Sequence, residues 1–172
     1  NGEKYRNVWI KHSEHYHFLL LVPEFSKKYY PGTRAYNLGN MVSASGEPIA
    51  KSRWTYTAIE QIFDVVKKIM KFTANTYNIY GHSAGAQFVH RLVLFLPDAR
   101  IDTAICANAG WYTMPSYDRP FPYGLKASGI TEEDLKKVFG KKLRILLGEK
   151  DSNPYHKYLK QTPRINVQGK HR

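Results

Sequence analysis

The sequence predicts an α/β fold with a mostly parallel sheet and helices on both faces. Apolar runs without polar alternation, typical of strands that are covered on both sides, recur along the chain. Amphipathic segments with helical spacing separate these runs, and strands that alternate with helices form parallel sheets. The length of 172 residues suits one domain with a substantial core. We therefore expect a single α/β domain over residues 1–172.

The first half of the chain contains two predicted helices and one predicted strand. Residues 2–16 carry aromatic and aliphatic side chains at helical spacing, and residues 17–23 form a continuous apolar run that ends at a proline, as in a buried parallel strand. Residues 24–52 are rich in Gly, Pro, Ser and Tyr, which indicates a loop excursion; a substrate wall and a plain surface loop are both open. A helix capped by Ser52 follows over 52–70.

The second half predicts three more strands, each followed or preceded by a helix or loop. Residues 109–130 are rich in Pro, Gly and aromatic side chains, and predict a second loop or cap excursion. Its aromatic residues could line a pocket or pack a cap onto the core. The predicted elements in order are a strand at 77–80, a helix at 84–96, a strand at 101–108, the excursion at 109–130, a helix between Thr131 and Gly140, and a strand at 143–148.

The predicted active site is centred on a G-x-S-x-G pattern, which runs from Gly81 to Gly85 around Ser83. A strand precedes this pattern and an apolar helical run follows it. Such a strand-to-helix turn is so sharp that the serine takes a strained backbone conformation. We expect both glycines to be needed, because a side chain at either would collide with the facing strand or helix. Ser83 is the candidate nucleophile; the alternative is a serine that merely caps a buried helix.

A serine hydroxyl needs a base to take its proton and an acid to orient that base. In the chain order serine, acid, histidine, the candidate acid is Asp151, just past the strand at 143–148, with Glu149 as the alternative. The other candidate pocket residues are His82, Trp111 and Tyr112. His82 and His90 flank the elbow in sequence, and a satisfied structural histidine is the favoured interpretation of both.

Through Gly81-His82-Ser83-Ala84-Gly85 and Leu147-Gly148-Glu149-Lys150-Asp151, the chain resembles α/β-hydrolases, in particular esterase and depolymerase-like serine hydrolases. The resemblance implies that the backbone N–H of Ala84 donates to the oxyanion. It also implies a second donor from a His-Gly loop after an earlier strand, which this chain lacks, so the chain looks like a core without its N-terminal part. The implied catalytic histidine lies beyond Arg172, with His171 a weaker candidate and His156 weaker still.

The composition restricts the other function classes. Twenty-six Lys and Arg against fourteen Asp and Glu give a net charge of +12, which fits either a solvated basic surface or one that contacts an acidic partner. The single Cys106 excludes an intrachain disulfide and lies in an apolar run, where a buried thiol is expected. The sequence contains no apolar run long enough for a transmembrane span and no cofactor motif. A metal site at His12, His15 and His17 is not expected, because these residues straddle a predicted helix–strand junction that would point them in different directions. Compartment and oligomeric state stay open.

These observations predict a serine hydrolase without a cofactor. It would cleave an ester bond, or less readily an amide bond, of a small or polymeric substrate through an acyl-enzyme on Ser83. The alternative is a catalytically inactive hydrolase-fold subunit whose basic surface contacts an acidic partner or RNA.

Overall fold

The computed structural model describes residues 2–150, and the chain divides into two compact units, the first ending at Gly32 and the second beginning at Thr33. The first unit contains helix α1, Gly2–Tyr16, as predicted. The strand predicted at 17–23 is wrong: His17 has a positive φ of 54°, and the residues after it form no strand. A strand needs a neighbour to satisfy its N–H and C=O groups, and no strand lies between residues 2 and 32 to provide one.

Within its described residues, 33–150, the second unit is built on a three-stranded parallel sheet. Its strands are β1, Tyr77–His82, β2, Ile101–Ala107, and β3, Lys142–Leu146, in the spatial order β1-β2-β3. His82 pairs with Ala107, and Ala107 pairs with Leu146, so the carboxyl ends of all three strands meet at one edge. The predicted α/β class with a parallel sheet is confirmed, and each of the three strands lies within two residues of its predicted ends.

The short helix α2, Gly32–Ala35, begins at the boundary between the units. The described part of the second unit then contains a 3₁₀ turn at Lys51–Arg53 and the helices α3, Thr55–Met70, α4, Ala84–Phe95, and α5, Glu132–Phe139. Helix α4 packs against β1 and β2, and every residue from 86 to 95 is buried. It is therefore the centre of the core, as its apolar sequence indicates. None of the helices between residues 2 and 150 is long and apolar enough to cross a membrane.

Of the helix caps predicted at Thr131 and Ser52, the first is confirmed and the second is wrong. Thr131 accepts a hydrogen bond from the backbone N–H of Asp134, whose carboxylate in turn accepts from the N–H of Thr131, so the predicted cap is confirmed as a full capping box. The cap predicted at Ser52 is wrong. Ser52 lies in the 3₁₀ turn, and α3 begins after Trp54, whose side chain makes no capping hydrogen bond.

Ion pairs gather at the amino ends of the strands, away from the carboxyl edge of the sheet. Arg100, just before β2, binds Glu60 at 2.7 Å and Asp64 at 2.6 Å from α3. Lys142 at the start of β3 binds Asp102 in β2 at 2.9 Å. Because solvent screens these exposed groups, the pairs add little to stability. Their larger effect is to keep these carboxylates at the amino end of the sheet.

Candidate active site

Ser83 occupies the turn between β1 and α4 at the carboxyl edge of the sheet. Its backbone has φ 55° and ψ −114°, a combination that is strained for a residue with a side chain. The turn is held on both sides: the N–H of Ser83 donates to the carbonyl of Ala107 at 2.9 Å, and its carbonyl accepts from the N–H of Gln87 at 3.1 Å. Ser83 itself is exposed. The turn thus presents a serine side chain to solvent on a rigid backbone.

The two glycines of the pattern have different roles. A Cβ added at Gly81 would lie 2.2 Å from the carbonyl oxygen of Gly85 and 2.7 Å from the backbone nitrogen of Ala86, so the predicted need for glycine there is confirmed. The same expectation for Gly85 is wrong. A Cβ added at Gly85 would meet the hydroxyl of Tyr36 at 3.7 Å, which is ordinary van der Waals contact. Gly81 therefore lets the strand and helix meet, whereas Gly85 leaves space beside the helix.

Ala84 begins helix α4, directly after Ser83. The first N–H groups of a helix have no acceptor within the helix, and the helix dipole makes this end favourable for negative charge. Ala84 is exposed, as is Ser83. A role for the Ala84 N–H in stabilising an oxyanion stays a prediction.

Asn108 connects the ends of β2 and β3. The sequence patterns did not predict this role. The N–H of Asn108 donates to the carbonyl of Leu146 at 2.8 Å, and its side-chain carbonyl accepts from the N–H of Gly148 at 2.7 Å. Its φ of 49° is one that asparagine tolerates better than most residues. Asn108 therefore fixes the start of the segment that leads toward Asp151. The sequence signal was an asparagine directly after a buried strand.

Most of the candidate acids and histidines for a catalytic triad lie outside the part of the chain that the structure describes. Asp151, His156 and His171 lie outside the described residues, and the alternative acid Glu149 is exposed after β3. A role for any of these residues in a triad stays a prediction.

The candidate pocket residues also differ in their surroundings. His82 is exposed at the end of β1, and Trp111 is half-buried. The ring of Tyr112 packs onto the ring of His90, with centroids 5.3 Å apart, and burial raises the pKa of its phenol. The ring of Tyr112 therefore packs against helix α4, while substrate contact by any of the three stays a prediction.

His90 is a structural histidine, as predicted. Its Nδ1 lies 3.0 Å from the carbonyl of Ala86 and its Nε2 accepts from the N–H of Thr113 at 2.9 Å, a pattern that only the neutral tautomer protonated at Nδ1 satisfies. Burial, assisted by the charge of Arg91, lowers the pKa of His90 to about 3. Between residues 2 and 150, no three His, Cys, Asp or Glu side chains are grouped to hold a metal ion.

Arg91, which is only 2% exposed, links both loop excursions to helix α4. Its Nε donates to the hydroxyl of Thr113 at 2.9 Å, and its Nη1 donates to the carbonyl of Asn37 at 3.0 Å. The Thr113 hydroxyl donates onward to the carbonyl of Pro122, and the Asn37 amide donates to Gln87 at 2.9 Å. The sequence patterns did not predict this cluster. Its available signal was a glutamine and an arginine within an otherwise apolar helix.

The solved structures that resemble this chain include two enzymes named for the polymers they degrade. Poly(aspartic acid) hydrolase-1 from Sphingomonas sp. KT-1 matches with a TM-score of 0.93 and 43% identity, over 99% of this chain and 65% of that one. LpqC, a poly(3-hydroxybutyrate) depolymerase from Bordetella parapertussis, matches with a TM-score of 0.89 and 34% identity, over 99% of this chain and 58% of that one. This chain therefore spans less than two thirds of the length of either neighbour. No protein-family model matches it, and no significant match was found among curated proteins.

The close contact at Gly81 predicts a large difference between two alanine substitutions. Gly81→Ala would force a Cβ against the backbone of Gly85, and we expect it to lower the free energy of unfolding by about 3 kcal/mol. Gly85→Ala should change it by less than about 1 kcal/mol, because its Cβ meets only the Tyr36 hydroxyl at van der Waals distance. Urea unfolding of the two variants measures the difference. Equal losses would contradict the assignment of the steric contact to Gly81.

The buried His90 predicts a pH dependence of stability. Its pKa is about 3 in the folded protein against an ordinary 6.5, so the unfolded state binds more protons between these values. The free energy of unfolding should therefore be highest above about pH 6.5 and fall toward pH 3, by up to about 1.4 kcal/mol per pH unit from this group. In urea unfolding, His90→Gln should lose less stability on acidification than wild type. The matched control, the exposed His12→Gln, should retain the wild-type slope, and a wild-type slope in His90→Gln would contradict the prediction.

The contacts of Asn108 predict different effects for two substitutions. Asn108→Ala removes the acceptor for Gly148 and places alanine at positive φ, so the free energy of unfolding should fall by about 2 kcal/mol. Asn108→Asp keeps an acceptor oxygen and tolerates this backbone conformation, so its loss should be under about 1 kcal/mol. Denaturant unfolding of both variants checks this, and an aspartate variant as unstable as the alanine variant would contradict the role of the side-chain hydrogen bond.

Proposed function

Since the chain has an α/β-hydrolase core and both structural neighbours are esterase- or depolymerase-like members of that superfamily, we propose that it is the catalytic core of a serine hydrolase acting on a polymer. The observation that carries the proposal is the backbone of Ser83, which is strained, held by hydrogen bonds on both sides and exposed at the carboxyl edge of the sheet. Strain of this kind is found where a reactive group must be held in one orientation.

The proposed reaction is acyl transfer to Ser83 and then to water. The hydroxyl oxygen of Ser83 attacks the substrate carbonyl carbon, while its proton passes to a histidine base that Asp151 orients. The bond to the leaving alcohol, or less readily the leaving amine, breaks as the base returns the proton to it. Water then releases the acid product and restores the serine. The N–H of Ala84 stabilises the oxyanion, and loss of one such donor costs about 3–4 kcal/mol of transition-state stabilisation.

Charge favours an anionic polymer over a neutral one. The two neighbours are named for poly(aspartic acid) and poly(3-hydroxybutyrate), of which the first is a polyanion. The net charge of +12 attracts anions and increases their rate of encounter. In addition, the carboxylates of Glu60, Asp64 and Asp102 are held in ion pairs at the amino end of the sheet, the end opposite Ser83. The acidic partner that the composition allows, as an alternative to a merely solvated basic surface, would then be the substrate itself.

Labelling with a fluorophosphonate probe tests the nucleophile directly. We expect the probe to modify Ser83 in the full-length protein, with Ser83→Ala abolishing both labelling and hydrolysis, a loss of at least about 10³-fold. Ser116→Ala is the matched control, because it removes a serine from the 109–130 excursion and should leave labelling intact. Product release from poly(aspartic acid) and poly(3-hydroxybutyrate), measured at low and high salt, ranks the substrates. We expect salt to slow hydrolysis of the anionic polymer more than that of the neutral one.

The alternative to this proposal is that the protein is a catalytically inactive binding subunit. It would follow if the wild-type protein is not labelled and Ser83→Ala changes no measured activity. A salt-sensitive affinity for RNA in the same protein would then support a binding role, because phosphate contacts release counterions.

A further inference from the structure

Gln87 contacts the Ser83 turn and both loop excursions. It lies one helical turn after Ser83 in α4, and its backbone N–H donates to the carbonyl of Ser83 at 3.1 Å. Its side chain is buried, and its amide oxygen accepts from the amide of Asn37, in the first excursion, at 2.9 Å. Its amide nitrogen lies 3.2 Å from the position that a Cβ at Gly110, in the second excursion, would take. One side chain therefore lies between two segments that are distant in the sequence.

The orientation of the Gln87 amide is fixed by Arg91. The Nη1 of Arg91 lies 3.3 Å from the amide oxygen of Gln87, and a guanidinium has donors only, so the atom that faces it must be the acceptor. The NH₂ group of the amide is then on the side where Gly110 lies. The Asn37 amide donates to the same oxygen inside the core. The two excursions thus meet the two ends of one planar amide group, which separates them.

Both segments also adjoin the turn at Ser83. The second excursion begins two residues after Ala107, the last residue of β2, whose carbonyl accepts from the N–H of Ser83 at 2.9 Å. The first excursion contains Tyr36, whose hydroxyl oxygen lies 3.7 Å from the position of a Cβ at Gly85, two residues after Ser83. A long substrate bound at the exposed Ser83 would therefore have these two segments as its neighbours.

We propose that Gln87 is a positioning residue whose amide group sets the separation, beside Ser83, of the Asn37 segment, residues 35–41, and the Gly110 segment, residues 108–113. The proposal rests on the function proposed above. A polymer extends beyond the attacked unit and must fit against these segments, whereas a small ester occupies only the position at Ser83. A change in the separation should therefore affect hydrolysis of a polymer more than hydrolysis of a small ester.

Three variants test the side chain of Gln87. Gln87→Met removes both polar ends of the amide and keeps an unbranched side chain, so the Asn37 amide and Arg91 lose an acceptor and must shift to find another. Gln87→Glu is the conservative variant, because it keeps an acceptor oxygen and the planar shape. Val138→Ala is the matched control for stability, because it opens a cavity beside α5, which ends near the amino end of β3 and away from Ser83.

Gly110→Ala is a further variant that removes no hydrogen bond. Its Cβ would lie 3.2 Å from the Gln87 amide nitrogen, so the amide or the Gly110 segment must move by a few tenths of an ångström. The φ of Gly110 is not positive, so the backbone itself accepts alanine. Gly140→Ala is the matched control, because it adds the same methyl group after α5, where φ is −72° and the nearest atom would lie at 3.4 Å.

Kinetics of the full-length protein, at a temperature where every variant is folded, measure the effect. We expect Gln87→Met to lower kcat/KM for the preferred oligomer, tetra-aspartate or a 3-hydroxybutyrate tetramer, about tenfold relative to kcat/KM for p-nitrophenyl acetate, mainly through KM. Gly110→Ala should lower the same ratio about threefold. Gln87→Glu should stay closer to the wild-type ratio than Gln87→Met, and the two controls should keep that ratio. An unchanged ratio in both Gln87→Met and Gly110→Ala, or an equal change in Val138→Ala, would overturn the positioning role.

A readout without turnover separates this inference from the proposed function. Hydrogen exchange should be faster in peptides covering residues 35–41 and 108–113 of Gln87→Met than in the wild-type protein, and unchanged there in Val138→Ala. Unchanged exchange in both peptides of Gln87→Met would overturn the positioning role even where Ser83 labels with fluorophosphonate. Absence of labelling would reject the proposed function instead, and hydrogen exchange would still decide whether Gln87 fixes the two segments.

Discussion

The close approach of Gly81 to Gly85 is the constraint on which the rest of the site depends. Strand β1 and helix α4 meet there with no room for a methyl group, because a Cβ at Gly81 would lie 2.2 Å from the Gly85 carbonyl oxygen. A turn that joins elements this close leaves its central residue few conformations. Ser83 consequently takes a positive φ, which the hydrogen bonds to Ala107 and Gln87 hold. The exposure of the serine and the proximity of the helix N-terminus follow from this geometry.

Helix α4 organises the loops as well as the serine. Buried polar groups are unfavourable unless they are hydrogen-bonded, and a fully satisfied cluster specifies one arrangement of the segments it joins. Arg91 and His90 both bind Thr113, which fixes the 109–130 excursion, while Arg91 and Gln87 bind Asn37, which fixes the segment containing Tyr36. The same helix therefore places the proposed nucleophile at its N-terminus and the surrounding loops along its sides.

The net positive charge and the turn at Ser83 bear on different parts of the proposed substrate recognition. Net positive charge acts at long range and raises the local concentration of an anionic polymer, but it does not select which bond is attacked. The fixed backbone of Ser83 acts at short range, where the proposed nucleophile would meet the scissile bond.

The sequence alone determined the three strands, the helices α3, α4 and α5, and the turn at Ser83. Continuous apolar runs at β1, β2 and β3 are local signals of strands, although the burial they suggest is found in β2 and not in β3, whose side chains are mostly exposed. A glycine-flanked serine between a strand and a helix is a local signal of a sharp turn. Tertiary structure decided what depends on distant partners. The run at 17–23 is apolar but forms no strand, since strand formation needs a pairing neighbour that a local pattern cannot reveal. The different roles of Gly81 and Gly85 depend on how closely β1 and α4 pack. The buried hydrogen bonds of Arg91 to Asn37 and Thr113 join residues far apart in the chain, so only the packed structure brings them together.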